Sequence, residues 1–403
     1  MILQGARIVL GVTGGIAAYK AVDLCSKLVQ AGAEVQVIMT PSATHFIAPL
    51  TFQTLSGRPV ACDMFQLLHD TDMAHISMAA WAQVLIIAPA TANTIAKLAH
   101  GLADNLLTST ALACPVPLVL APAMDTDMWA NPITRQNAET LRGRGALLVG
   151  PGEGRLASGR IGVGRLASNE ELLATIRQTL GRGGKLAGRC VRVTAGGTQE
   201  PLDPVRYLSN RSSGRMGYAL AEAARDMGAE VTLVSAPTGL APVHGVRLVP
   251  VRTAEDMFRA VMDGLNETDL LIMAAAVADY RPAQVAMQKI KKGSDDLNLR
   301  LEHTTDILAA VAEARQVTGR PKVVVGFAAE TENLLANAAI KLQRKHLDLI
   351  VANDVSSTDS GFEVDQNRVT LLLPDGTQEA WPLLPKTEVA ERILERIVAL
   401  WGD

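Results

Sequence analysis

At 403 residues and a formal net charge of −3, the chain has room for two or three domains and no global field that would draw it to nucleic acid. Hydrophobic residues make up 48 % and charged residues 20 %, ordinary for compact α/β domains, while aromatics are only 3 %, so the cores must rest on Val, Ile, Leu and Ala, as buried parallel strands do. Cysteines at 25, 62, 114 and 190 lack metal-ligand or redox spacing, no apolar run approaches the roughly 20 residues of a membrane span, and the N-terminus runs into a strand without a signal peptide, so a reducing, cytoplasmic setting is expected.

The first predicted strand, Ile8 to Val12, meets the glycine pair Gly14-Gly15. A helix pattern from Ile16 to Gln30 follows and stops at Gly32, and a second apolar run, Val35 to Met39, completes a β-turn-α-β unit. A helix N-terminus offers unpaired N–H groups and partial positive charge, and glycine lets backbone approach an anion closely. An ordinary strand–helix turn without a ligand is the other reading, and the full dinucleotide fingerprint is absent. Short helices are expected up to Phe46 and over 49–57, and the weakly periodic segment 60–75 is expected to cross the surface. His75 then lies near a helix start, where it could serve as a base or as a satisfied structural histidine. Val84 to Ala88 is the next strand, ending at Pro89 in a turn crowded with Thr91, Asn93 and Thr94. Leu118 to Ala121 is another, ending in "PAMDTDMWANP", where Asp125 is either a ligand contact or a helix cap. After Leu147 to Val149 comes "GPGEGRLASGRIGVGR" (150–165), with six glycines, read as a mobile functional flap carrying Ser158. A helix from Asn169 to Leu180 closes the half, and "GRGGKLAG" (181–188) reads as a linker.

The grammar then repeats. Val191 to Thr194 meets Gly196-Gly197, a proline-stiffened polar loop holds Arg206, Asn210, Arg211 and Arg215, and a helix from Met216 to Met227 leads to Val231 to Val234. Further strands are expected at 246–251, 270–276, 323–327 and 349–352, with helices at 254–264 and 331–344. Asp279 follows the strand of 270–276, and a long loop carries Lys289, Lys291 and Lys292. Lys341 and Lys345 stand four apart on one helix face, suiting either a polyphosphate or the helix's own dipole. A hairpin at 368–382 and a helix from Lys386 to Leu400 complete an α/β chain of two doubly wound, Rossmann-like domains.

The run Gly14 to Lys20, His75, "APATAN" (88–93) and "PAMDTDMW" (122–129) resemble the flavin-dependent cysteine decarboxylases. That resemblance implies a flavodoxin-like flavoprotein half over 1–183, trimeric, holding FMN between subunits. It places the FMN phosphate on Gly14, Gly15, Ile16 and Thr40, and the isoalloxazine at Ala90, Thr91 and Asn93. His75 matches the catalytic histidine. The sequence departs twice from the pattern. Asp125 stands where that family has a carboxylate-contacting asparagine, and Ser158 where the flap has a proton-donating cysteine, a much stronger acid at a pKa of about 8.5.

In the second half, "TAGGTQEPLDPVRYLSNRSSGRMG", "AAAVADYRP", "KIKK", "GFAAET" and "ANDV" occur in order and are similar to the phosphopantothenate–cysteine ligases. This implies a dimeric ligase domain over 189–403. CTP contacts are carried over to Met273, Ala274, Ala275, Asp279, Lys289, Thr304, Thr305, Asp306, Ile307, Phe327, Lys341 and Lys345. Asn210 would handle an acyl-cytidylate, Lys289 would support turnover, and Arg206 would contact substrate, with Mg²⁺ accompanying the nucleotide. The two halves together resemble the bifunctional decarboxylase/ligases of coenzyme A synthesis. The implied partners are phosphopantothenate, cysteine and CTP in a homo-oligomer, with a dodecamer as one way of combining trimers and dimers, and neither nucleic acid nor membrane. A ligase whose flavin half no longer decarboxylates is one rival, and an NAD(P)-dependent oxidoreductase the other.

Overall fold

Strands that are apolar on both faces are buried only inside a parallel sheet covered by helices, and both halves of the chain are built that way. The computed structural model describes residues 2–65, 73–292, 296–330, 333–354 and 364–401. It separates into two units, Met1–Leu180 and Gly181–Asp403.

In the first unit, chain order runs β1 (Arg7–Val12), α1 (Ala18–Gln30), β2 (Glu34–Met39), α2 (Pro49–Ser56), α3 (Ala74–Trp81), β3 (Val84–Ala90), α4 (Ala92–His100) and α5 (Leu106–Ala113). It continues through β4 (Leu118–Pro122), α6 (Thr126–Ala130), α7 (Pro132–Gly143), β5 (Leu147–Leu148), β6 (Gly152–Arg155), β7 (Ile161–Arg165) and α8 (Asn169–Gly181). The sheet order is β2-β1-β3-β4-β5 with every pairing parallel, the flavodoxin-like winding. Alternation along β1 feeds two cores. Ile8, Leu10 and Val12 pack with Leu24 and Leu28 of α1 on one face, and Val9 with Leu85, Ile87 and Ile95 on the other. Each of these fully buried side chains contributes about 1.5–3 kcal/mol of transfer free energy.

The second unit runs β8 (Cys190–Ala195), β9 (Gln199–Pro201), β10 (Tyr207–Ser209), α9 (Arg215–Asp226), β11 (Glu230–Ser235), β12 (Arg247–Pro250), α10 (Ala254–Met262), β13 (Leu270–Met273), β14 (Tyr280–Pro282), β15 (Leu301–His303), α11 (Ile307–Thr318) and β16 (Val323–Glu330). There follow α12 (Leu334–Arg344), β17 (Leu349–Asp354), β18 (Gln366–Asn367), β19 (Val369–Leu372), β20 (Gln378–Ala380), β21 (Leu384–Pro385) and α13 (Lys386–Leu400). Its main sheet is ordered β12-β11-β8-β13-β16-β17-β19-β20. The six strands from β12 to β17 are parallel and repeat the dinucleotide-fold order, and the hairpin β19–β20 extends the sheet antiparallel.

Several sequence expectations change. The glycine-rich segment 150–165, expected as a functional flap, forms a paired antiparallel ribbon, β6 with β7. The helix expected from Ile16 begins at Ala18, because Ile16 and Ala17 belong to the turn. The strand expected to reach Ala276 ends at Met273, since Ala276 leaves the sheet to bridge with Gly197. The polar loop 198–214 contains the small ribbon β9–β10. Residues 66–72 of the crossing segment, Thr331 as a helix start and Val355 of the last motif lie outside the described residues.

Candidate functional sites at the two sheet switch points

In an open α/β sheet the loops after the first strand and after the strand on its other side diverge, leaving a crevice at the carboxyl ends. In the first unit the crevice lies between β1 and β3. Thr13, buried after β1, donates its hydroxyl to Pro89 O (2.6 Å) and accepts from Thr91 N (3.2 Å), tying the two strand ends together. Thr91 caps α4 by accepting from Thr94 N (3.3 Å). The α1 N-terminus, by contrast, has no side-chain cap. A Cβ on Gly14 would meet Ser42 Cβ at 2.3 Å, so this position admits only glycine, whereas a Cβ on Gly15 would touch nothing nearer than the Thr91 methyl at 3.7 Å. The Thr40 hydroxyl, at the end of β2, is buried without a hydrogen-bond partner. An uncapped helix start, a glycine pair with no side chains of its own and an orphaned buried hydroxyl together fit a phosphate. Ala90 is buried in β3 and Asn93 is exposed in the first turn of α4.

The carbonyl of Ala90 accepts from Ala123 N (3.1 Å), and Met124 N donates to Gly164 O (3.0 Å), so the strand ends continue into the ribbon. The ribbon's glycines have a packing reason. A Cβ on Gly164 would meet Met124 O at 2.2 Å, and one on Gly162 would meet Thr126 Oγ1 at 2.5 Å. This close approach carries Ser158, at the ribbon tip, onto Asp125. The Ser158 hydroxyl donates to Asp125 Oδ2 (2.7 Å). Asp125 is also the N-cap of α6, accepting from Asp127 N (3.2 Å). Both sequence readings of Asp125, cap and site residue, therefore coexist. Arg160 donates to Asp127 through both terminal nitrogens (2.5 and 3.2 Å) and lies 3.5 Å from Asp125 Oδ1. The Ser158 hydroxyl first, then the Asp127 N–H and the Arg160 charge, hold the Asp125 carboxyl below its ordinary value. His75 sits in the first turn of α3 with Nδ1 buried and unpartnered, and no hydrogen bond among the described residues joins it to the Asp125–Ser158 pair.

The second unit repeats the crevice between β8 and β13. Ala276 N donates to Gly196 O (2.9 Å), Thr198 N to Ala276 O (3.3 Å), and Ala278 N to Thr198 Oγ1 (2.9 Å). Thr304 closes the same cluster by donating Oγ1 to Ala278 O (2.6 Å) and N to Asp279 O (3.0 Å). Asn210 donates to Val277 O (3.1 Å), and its own carbonyl lies 2.6 Å from where a Gly197 Cβ would stand. So Asn210, Asp279 and Thr304 share one corner. Met273 is buried at the end of β13, Ala274, Ala275 and Phe327 are half-buried, and Thr305 is exposed beside Ile307, the buried first residue of α11.

The basic residues are less free than their spacing suggests. Lys341 donates to Phe327 O (2.9 Å), and the buried Lys345 is ion-paired with Asp306, which also caps α11 by accepting from Ala309 N (3.1 Å). Arg206 grips the buried Asp203 (2.6 and 3.0 Å) and donates to Ile290 O (2.7 Å), while Ile290 N donates to Asp203 (3.1 Å). This clamp fixes the loop between Lys289 and Lys291, and the Lys289 side chain itself is exposed. Sequence reading singled out Arg206 but missed Asp203, Thr13 and Arg160. The motif "LDPVR" holds the Asp203–Arg206 spacing, whereas nothing local marks the other two.

Two doubly wound units, each with polar turns at its switch point, define a tandem α/β protein of Rossmann-like architecture. The family described as Flavoprotein matches residues 2–181, and the DNA/pantothenate metabolism flavoprotein C-terminal domain matches residues 186–400. The chain is 44 % identical over 402 residues to the coenzyme A biosynthesis bifunctional protein CoaBC of Vibrio vulnificus (strain YJ016), covering 99 % of each. It is 44 % identical over 401 residues to that of Bacillus subtilis (strain 168), covering 99 % of this chain and 98 % of the other. A crystal structure of the C-terminal domain of a CoaBC bifunctional protein is 41 % identical over 55 % of this chain and 99 % of that one, with a TM-score of 0.46. The chain belongs to the CoaBC family of bifunctional coenzyme A biosynthesis proteins. No helix among the described residues is long and apolar enough to cross a membrane.

Two outcomes are expected. Gly164→Ala forces the ribbon off Met124, at a cost of about 1–3 kcal/mol for overpacking. It should lower the melting temperature of the first unit and speed tryptic cleavage after Arg155 and Arg160; unchanged melting and cleavage would refute the packing role. Arg206 first, then the N–H groups of Val205, Ile290 and Arg206, hold Asp203 far below the usual carboxylate range. A depressed acid stabilises above its unfolded pKa, about 3.9, and loses that contribution only as pH falls through the lower folded value. Asp203→Asn should therefore show a stability deficit that is constant near neutrality and disappears in strong acid, measured by denaturant unfolding across pH.

Proposed function

We propose that residues 1–183 form an FMN-dependent phosphopantothenoylcysteine decarboxylase domain and residues 189–403 a CTP-dependent phosphopantothenate–cysteine ligase domain. The ligase half joins phosphopantothenate to cysteine through an acyl-cytidylate, and the flavin half removes the cysteinyl carboxylate to give phosphopantetheine. Supporting this reading are the contacts at the β1–β3 switch point that run from Thr13 to Thr91, from Ala90 to Ala123, from Met124 to Gly164 and from Ser158 to Asp125; His75 stands outside that run.

The phosphate of FMN would lie on Gly14, Gly15 and Ile16, with the orphaned Thr40 hydroxyl as donor, and its ring near Ala90, Thr91 and Asn93. When bound, FMN supplies the reversible two-electron oxidation that makes the substrate's thiol-bearing carbon an electron sink. His75, with its buried free Nδ1, moves protons at the substrate. Ser158 holds the proton-donor position, and its hydrogen bond to Asp125 fixes the hydroxyl in place.

In the ligase half, Asn210, Asp279 and Thr304 gather at the carboxyl end of β13, supporting a role around the activated carboxyl and the nucleotide. Met273, Ala274, Ala275, Thr305, Asp306, Ile307, Phe327, Lys341 and Lys345 would complete the CTP site. The exposed Lys289 would supply charge to the triphosphate, held there by the Arg206–Asp203 clamp, so Arg206 acts through the loop. Mg²⁺ enters with the nucleotide as its counter-ion. A cytoplasmic homo-oligomer, trimeric through the flavin half and dimeric through the ligase half, is part of the same proposal.

A second reading, a ligase whose flavin half does not decarboxylate, is favoured by one observation: the Asp125 carboxyl, at the position that the resemblance gives to a carboxylate-contacting asparagine, is held below its ordinary value by Ser158, the Asp127 N–H and Arg160. Mass analysis after incubating the FMN-loaded protein with phosphopantothenate, cysteine, CTP and Mg²⁺ separates the two. Phosphopantetheine is expected, and accumulation of phosphopantothenoylcysteine alone overturns the decarboxylase. Lys289→Gln should cut ligation about 10²–10³-fold, as loss of a charge-stabilising donor does, with flavin absorbance unchanged. Ser158→Cys should raise phosphopantetheine formation about ten-fold, because a thiol is the better general acid; an equal or lower rate would show that the serine is not limiting.

A further inference from the structure

Resting on the decarboxylase reading, we propose that Arg160 binds the substrate carboxylate in this chain, taking over the contact that an asparagine at position 125 would make. An ionised Asp125 cannot donate to an incoming carboxylate and repels it. Arg160 is the one cation bonded to Asp125 among the described residues. It is carried to the site by the same ribbon tip as Ser158, and that tip is fixed by Leu156 N donating to Arg160 O (2.8 Å) and Gly159 N to Leu156 O (2.9 Å).

The guanidinium has donors to exchange. Its paired contacts run to Asp127, whose side chain is 74 % exposed, and Arg160 is itself 54 % exposed. An ion pair this open contributes little, so a carboxylate arriving beside Asp125 can displace Asp127 and take the same two-pronged geometry. Asp125, at 29 % exposed and engaged by Ser158 and the Asp127 N–H, stays in place as the wall against which the fork turns. Asp125 and Arg160 thus act together: the acid anchors the hydroxyl and the cation, and the cation receives the substrate. The pairing explains how an acidic residue at position 125 is compatible with an anionic substrate.

The test compares two ligands that differ by the carboxylate. Phosphopantothenoylcysteine and phosphopantetheine are titrated into the FMN-loaded full chain, following the flavin spectrum, for the parent, Arg160→Gln, Arg160→Lys, Asp125→Asn and the Arg160→Gln/Asp125→Asn double variant. Carbon dioxide release is measured in parallel. Arg160→Gln should weaken phosphopantothenoylcysteine about ten-fold at low salt, less at high salt, and leave phosphopantetheine unchanged. Arg160→Lys should restore part of the loss, and adding Asp125→Asn to Arg160→Gln should restore most of it. Equal weakening of both ligands, no weakening of either, or no recovery in the double variant would overturn the assignment. So would a parent that binds the carboxylated ligand no better than the other. A parent that binds phosphopantothenoylcysteine in this arginine-dependent way but releases no carbon dioxide would sink the decarboxylase reading while leaving the carboxylate site standing.

Discussion

A parallel sheet wound outward in both directions from one strand must open a crevice beside that strand, because the connections on its two sides leave toward opposite faces. In the first unit this constraint places the loops after β1 and β3 side by side, and in the second the loops after β8 and β13. The contacts among Thr13, Thr91, Asp125 and Ser158 lie at the first of these places, and those among Asn210, Asp279 and Thr304 at the second. Neither crevice is held open by chance: Thr13 stitches the first through Pro89 and Thr91, and Thr194 and Thr198 stitch the second through Ala275 and Ala278. In each, a threonine just past the first strand supplies the hydroxyl that fixes how far the neighbouring strand ends can diverge. The device is the same although the sheets differ in strand order.

The two crevices handle charge differently. In the first, the polar groups facing the glycine turn are unspent: α1 has no side-chain cap and the buried Thr40 hydroxyl has no partner. Leaving a buried hydroxyl unsatisfied costs about 1–3 kcal/mol, which binding an anion there would return. In the second, the cations are already engaged. Lys345 faces Asp306, Arg206 faces Asp203, and Lys341 donates to a backbone carbonyl. A single phosphate can be met by backbone and hydroxyl dipoles alone. A cation that is buried or half-buried needs such a partner to avoid the cost of burial unpaired, so any polyanion entering the second crevice would have to displace these contacts.

Much of this was legible from sequence. Apolar runs gave the buried strands, because a strand covered on both faces leaves no room for alternation, and the glycine pairs marked both switch points. What was hidden has specific causes. Six glycines in 150–165 suggest freedom of the chain, but Gly162 and Gly164 serve close approach to residues 124–126, a reason that only the fold reveals. The helices α5, α7 and α11 were not singled out, although Asn105, Asn131 and Asp306 cap them in the ordinary way. Pairs such as Lys345 with Asp306, or Ser158 with Asp125, are far apart in the chain, and no periodicity links them.

That last pair bears on how a departure from a family's pattern should be weighed. Taken singly, an acid at position 125 adds an unwelcome charge and a serine at 158 removes a good proton donor, and two such changes read as decay. Their side chains meet at 2.7 Å, and a third residue on the same ribbon, Arg160, brings the opposite charge. Here the hydroxyl finds an acceptor, the carboxylate finds a donor and a cation, and the ribbon that delivers both is seated by glycines that tolerate no side chain. These contacts make the three residues one hydrogen-bonded unit whose members cannot be judged separately.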